Sequence, residues 1–152
     1  MIDVDDFVRF CRRTIDGTRS AVDRIGDSRI NTRPDLTGGS TPFQLVTHAF
    51  SAAEWWCAHI VCGYPSDRVR RDEFAAHGSV ADLHAHGDRL LARLEDLKPE
   101  MAAATELAFP ARTQTPLEGE WTVGAALIHA YEELAQHLGH LEMTADVLVA
   151  ET

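Results

Sequence analysis

Apolar residues return every three or four positions in four separate stretches of this chain, and no stretch alternates apolar with polar as a half-buried strand would. In the first, from about Asp3 to Ile25, Val4, Phe7, Val8, Cys11, Ile15, Val22 and Ile25 recur at helical spacing while Asp5, Arg9, Arg12, Asp16 and Arg19 fall elsewhere. Gly26 supplies a stop. The second stretch opens with Ser40 or Thr41 as a cap and Pro42 in the first turn, where a missing N–H costs nothing. It continues through Phe43, Val46, Ala49, Phe50, Ala53, Trp56 and Ile60 to about Cys62, with Gly63 and Pro65 beyond. Ser79 caps the third, whose stripe of Val80, Leu83, Leu90, Leu91, Leu94 and Leu97 is expected to end before Pro99. Thr122 caps the fourth, which spans about Val123 to Val149.

Between these helices lie a loop over residues 27–40, a polar connection over 66–78 and a long connection over 99–119 that holds Pro110 and Pro116. Part of the last, around Met101 to Leu107, is expected to be helical. The reading is an all-α four-helix bundle in a single domain, residues 1–152. A chain of 152 residues is long enough to bury roughly 70% of its unfolded surface without disulfides. Long connections on both sides of the third helix allow an order other than simple up-and-down.

Several function classes drop out. No run approaches the ~20 apolar residues of a membrane span, and the acidic N-terminus lacks the basic region of an export signal, so a cytoplasmic location is expected. A formal net charge of -10 opposes nucleic-acid binding, which needs clustered Lys and Arg. Arg12-Arg13 and Arg68 to Arg71 are flanked by acidic residues and read as solvated faces. Cys11, Cys57 and Cys62 are odd in number and form no Cys-x-x-Cys, so they read as small core residues in a reducing compartment.

The chemistry gathers on the last helix, at His129, Glu133, His137 and His140. Residues four apart lie about one turn apart on one face, so Glu133 and His137 can aim at a common point. A carboxylate and an imidazole there make two ligands of a divalent ion, and a third has to come from another helix. His48, among Val46, Ala49 and Phe50 on an apolar helix, is the natural candidate. The plain alternative is an exposed Glu133–His137 pair worth ~0.3 kcal/mol. His129 precedes Glu133 by the same interval and could replace either partner, and His140 stands one turn beyond His137 as a supporting or surface residue. His84 and His86, two apart on a helix, point in diverging directions and are expected to be exposed.

Ser40-Thr41-Pro42-Phe43-Gln44-Leu45-Val46-Thr47-His48, followed by Glu54-Trp55-Trp56, resembles the first metal-binding helix of the DinB/YfiT-like superfamily. Glu120-Trp121-Thr122-Val123, followed by Glu133-Leu134-Ala135-Gln136-His137-Leu138-Gly139-His140, resembles its last. The likeness implies a bundle of DinB/YfiT-like type with His48, Glu133 and His137 as the metal ligands. Glu133 departs from the histidine common there. The mycothiol-dependent isomerases and related thiol S-transferases are similar in carrying glutamate. The resemblance therefore implies a divalent metal, zinc foremost with nickel or iron also suited. It further implies a low-molecular-weight thiol such as mycothiol, a small electrophile as the other reactant, and a homodimer.

Trp55 and Trp56 could wall the pocket and Arg112 could meet an anionic group, whereas Trp121 reads as core packing. The expected activity is thiol transfer or isomerisation, with sulfur activated at the metal. A metal-dependent hydrolase that activates water, and a non-enzymatic metal-binding module of stress response, are the alternatives.

Overall fold

The computed structural model describes residues 2–35, 37–109 and 121–150, and every element in these residues is helical. Helix α1 (Val4–Ile25) starts at Asp3, whose carboxylate accepts a hydrogen bond from the Asp6 N–H at 3.0 Å. It stops at Gly26, where φ is 73° and a side chain would be strained. Helix α2 (Pro42–Glu54) uses Thr41 rather than Ser40 as its cap. Thr41 Oγ1 accepts from the Gln44 N–H at 3.2 Å, and Gln44 Oε1 accepts from the Thr41 N–H at 3.1 Å. At Trp55 the coil widens into a π-helical segment, Trp55–Val61, so the expected helix keeps its length but not its register.

The connection after it is not structureless. It carries a single-turn helix α3 (Arg70–Glu73). Helix α4 (Val80–Ala103) starts on a reciprocal Ser79–Asp82 cap and runs through Pro99, four residues past the expected stop. Pro99 has no N–H to give the turn before it. The apolar stripe nevertheless continues, with Leu90, Leu94, Leu97 and Met101 all buried, and that burial carries the last turn. Only the start of the helix expected around 101–107 therefore exists, as the end of α4. Helix α5 (Val123–Ala150) begins where the Thr122 hydroxyl accepts from the Ala125 N–H at 3.1 Å.

Helices α1 and α2 each pack against both α4 and α5. Cross-helix partners give the directions. Asp5 and Arg12 of α1 meet Lys98 and Glu95 of α4, so these two run antiparallel. Phe10 and Arg24 meet Tyr131 and Asp146, so α1 and α5 run parallel. His48 and Trp56 meet His137 and His129, so α2 opposes α5. Phe50 lies on His86, and Tyr64, just past the π segment, donates to Glu100, so α2 and α4 point the same way. Two consecutive long helices that run parallel require a crossover back along the bundle. Residues 63–79 make it, with α3 resting against α2.

His84 and His86 are half-buried, contrary to the expectation of exposure. Their side chains do diverge, but α4 is covered on two sides. His84 turns to α1 and lies 2.7 Å from Asp23, while His86 turns to α2 and sits edge-on to Phe50. Among the described residues, no helix is long and apolar enough to cross a membrane.

Candidate metal centre

Three side chains from α2 and α5 converge between the helices. His48 is 5% exposed, held inward by the apolar face that buries Val46, Ala49 and Phe50. Glu133 and His137, one turn apart on α5, face it half-buried. His48 Nε2 and His137 Nε2 lie 3.6 and 3.4 Å from Glu133 Oε2, and one ligand atom from each of the three residues falls within 4.8 Å of the others. Ligands at the ~2.0–2.1 Å typical of zinc stand about 3.3 Å apart on a tetrahedron, close to these separations.

The donor inventory points the same way. In the neutral ring the His48 Nδ1–H donates to Glu73 Oε2 at 2.7 Å, and Nε2 then turns its lone pair toward Glu133. A lone pair facing a carboxylate oxygen in a buried site is unfavourable unless a cation lies between them. Two imidazole nitrogens and a carboxylate are a donor set that a divalent ion satisfies. When protons serve instead, burial opposes charge on His48, but Glu133 and Glu73 outweigh it and raise its pKa. His137 and His48 together hold the Glu133 carboxyl well below the usual carboxylate range. Burial would raise Glu73, yet His48 and Arg68 lower it.

His129 borders this trio without joining it, and His140 stands apart. His129 Nε2 approaches the other oxygen of Glu133, Oε1, at 3.4 Å, and its Nδ1–H donates to Glu132 at 2.9 Å. The ring is wedged edge-on against Trp56 and Trp121. His140 is exposed, 6.4 Å centroid to centroid from His137. Trp56 is buried and stacks on Trp121 at 4.7 Å, so both pack beneath His129. Trp55 lines a cleft of about 530 Å³ between α2, α4 and the crossover, and none of His48, Glu133 and His137 lines that cleft. Arg112 lies outside the described residues.

Glu73, Arg68 and Phe74 touch the site and are absent from the sequence-based set. Arg68 Nε–H and Nη2–H donate to the two Glu73 oxygens at 2.6 and 3.0 Å, and the Phe74 ring lies 4.9 Å from that of His48. The basic run from Arg68 to Arg71 is thus not uniformly a solvated face. Arg68 and Glu73 turn inward, with side chains 16% and 7% exposed, while Arg71 and Asp72 stay in solvent. The only hint in sequence is the interleaving of arginines with Asp72-Glu73 ahead of an isolated Phe74, and a fold is needed to say which of them turns in.

A sequence model of the DinB superfamily matches residues 11–141, a span that includes all three clustered residues, and the chain belongs to that superfamily. No curated protein and no solved structure gives a match.

Proposed function

From that membership and this geometry, we propose that the chain is a divalent-metal-dependent thiol transferase. A low-molecular-weight thiol of the mycothiol kind is activated at the metal and attacks a small electrophile. The observation that carries the reading is the convergence of His48, Glu133 and His137, three ligands and no more among the described residues. Three protein ligands are the pattern of catalytic zinc sites, which keep a position open for a reactant, whereas structural sites are closed by four. A divalent ion held there supplies a Lewis acid that stabilises a thiolate at neutral pH.

The chain's own residues do the rest. His48 and His137 offer neutral nitrogens, and the ionised Glu133 offsets part of the cation's charge. His129, packed against Trp56 and Trp121, lies beside the second oxygen of the Glu133 carboxylate. The sulfur has to come from outside. Burial pushes the Cys11 thiol up to about 12 and that of Cys62 up to about 11, and Cys57 is raised as well, so none of the three is a ready thiolate. Glutamate at position 133, where the likeness to thiol-dependent members lies, supports the same choice.

The test is turnover of a panel of small electrophiles, such as epoxides and activated halides, by zinc-loaded protein with and without added thiol. The proposal expects product only when both metal and thiol are present. Turnover without thiol would assign the site to water activation and hydrolysis. A bound ion with no turnover of either kind would assign it to a non-enzymatic binding role.

A further inference from the structure

Two consecutive residues of the crossover fix the orientation of His48. Glu73 accepts the Nδ1–H at 2.7 Å, and the Phe74 ring packs beside the imidazole, tilted by 34° with centroids 4.9 Å apart. Glu73 is itself gripped through both oxygens by Arg68, whose guanidinium also lies 5.8 Å over the Trp55 ring at the start of the π segment. The chain Trp55–Arg68–Glu73–His48 therefore runs from the π segment, through the crossover, to the metal-facing nitrogen. A carboxylate buried to 7% exposure is costly unless every oxygen is paired, and here both are.

We propose that Glu73 is a positioning residue of the metal centre. Backed by Arg68, it holds His48 in the Nδ1–H tautomer and aims Nε2 at the ion. The inference rests on the metal reading above, but it concerns a residue in neither α2 nor α5, in a segment that sequence patterning marks only as a connection. Imidazole ligands that donate their second nitrogen to a carboxylate are both oriented and made more basic by it, and loss of such a partner typically costs about 10–100-fold in metal affinity. His137 provides an internal contrast, because its Nδ1 is buried with no hydrogen-bond partner among the described residues. The crossover thus supports one ligand of the pair and leaves the other without a carboxylate behind it.

The experiment measures zinc affinity by chelator competition in the full-length protein and in Glu73→Gln, Glu73→Ala, Arg68→Ala and Asp72→Asn. Glu73→Ala should weaken binding by about 10–100-fold. Glu73→Gln, whose amide oxygen still accepts but carries no charge, should fall between it and the wild type. Arg68→Ala should weaken binding less than Glu73→Ala, and the exposed Asp72→Asn should change it by less than about two-fold. A purely structural role predicts a lower melting temperature with unchanged affinity in the folded protein, and that result overturns the proposal. If Glu73→Ala does not fold, Glu73→Gln carries the same test.

A second readout is independent of metal. Nitrogen-15 NMR of the metal-free protein, at a pH high enough for His48 to be neutral, should find Nδ1–H in the wild type and a mixture of tautomers in Glu73→Ala. Nε2–H in the wild type overturns the proposal. Failure of the wild type to bind zinc at all overturns the metal reading instead, and the tautomer measurement then decides alone whether Glu73 sets the ring.

Discussion

The imidazoles of His48 and His137 meet at nearly a right angle, with ring centroids 5.0 Å apart across the α2–α5 interface. Glu133 Oε2 lies within 3.6 Å of both Nε2 atoms. An ion bound by this trio joins helices α2 and α5 across their packed interface.

That cross-link should register as stability. A ligand that binds only the folded state adds about 2.7 kcal/mol at a free concentration one hundred times its Kd. For a domain of this size, that raises the melting temperature by roughly 5–10 °C. Thermal melts with zinc and with a chelator should differ by this amount in the wild type and coincide in His48→Ala. Equal melting temperatures in the wild type, at zinc well above micromolar, would count against a metal bridging α2 and α5.

The charges around His48 favour the metal-free fold in mildly acidic solution. His86 opposes them, because burial lowers its pKa and its contribution is lost as pH falls below the pKa of a free imidazole. The folded pKa of His48 is raised above the ~6.5 of a free imidazole, so its contribution is complete below that value and is lost as pH rises through the folded pKa. Glu73 and Glu133 are lowered below the ~4.3 of a free glutamate, so theirs is present above that value and lost as pH falls through the folded pKa. Protons on His48 compete with metal, so zinc affinity should climb as pH rises through the same raised pKa. Denaturant melts at a series of pH values, with and without zinc, check both halves. Metal-free stability that rises steadily above about pH 7, where the His86 contribution is complete, would contradict the assignment.

The three cysteines should be bystanders. With their pKa values raised, alkylation by iodoacetamide near neutral pH should be slow in the folded protein, and half-buried Cys62 should react before buried Cys11 and Cys57. Mass spectrometry of partly alkylated protein reads the order. Fast modification that abolishes thiol-dependent turnover would place the reacting sulfur on the chain itself.

Gly63 ends the π segment with φ at 82°, and a Cβ there would stand 2.9 Å from the Cβ of Ala108. Gly63→Ala therefore meets both a strained backbone and a clash with a segment tied to Ile60 through the Ala108 N–H, which donates at 3.0 Å. The expected loss is about 1–2 kcal/mol of stability, measured by chemical denaturation. Zinc stoichiometry should not change, because Gly63 touches none of the three clustered residues. Unaltered stability would show that this turn is not under conformational constraint.

Residues that act within one helix were legible in the sequence. Thr41, Ser79 and Thr122 cap where their side chains can reach a free N–H two or three residues on, and the apolar stripes of α1, α2, α4 and α5 are local periodicities. The pairing of Glu133 with His137 is one turn of helix. His48 stood out as a third ligand by its place on an apolar helix, and the resemblance joined it to the pair, but nothing local says that α2 lies beside α5. Pro99 misled as a stop, since the burial of Met101 beyond it is a tertiary fact. Glu73 was out of reach for the same reason. Its role depends on a crossover made necessary by α2 and α4 running parallel, and no periodicity reports helix direction.

The most direct test is an anomalous difference map from crystals of the zinc-loaded protein. A single strong peak is expected between α2 and α5, at ~2.0–2.2 Å from His48 Nε2, His137 Nε2 and a Glu133 oxygen. A peak elsewhere, or a fully loaded protein with His48 uncoordinated, would contradict the account.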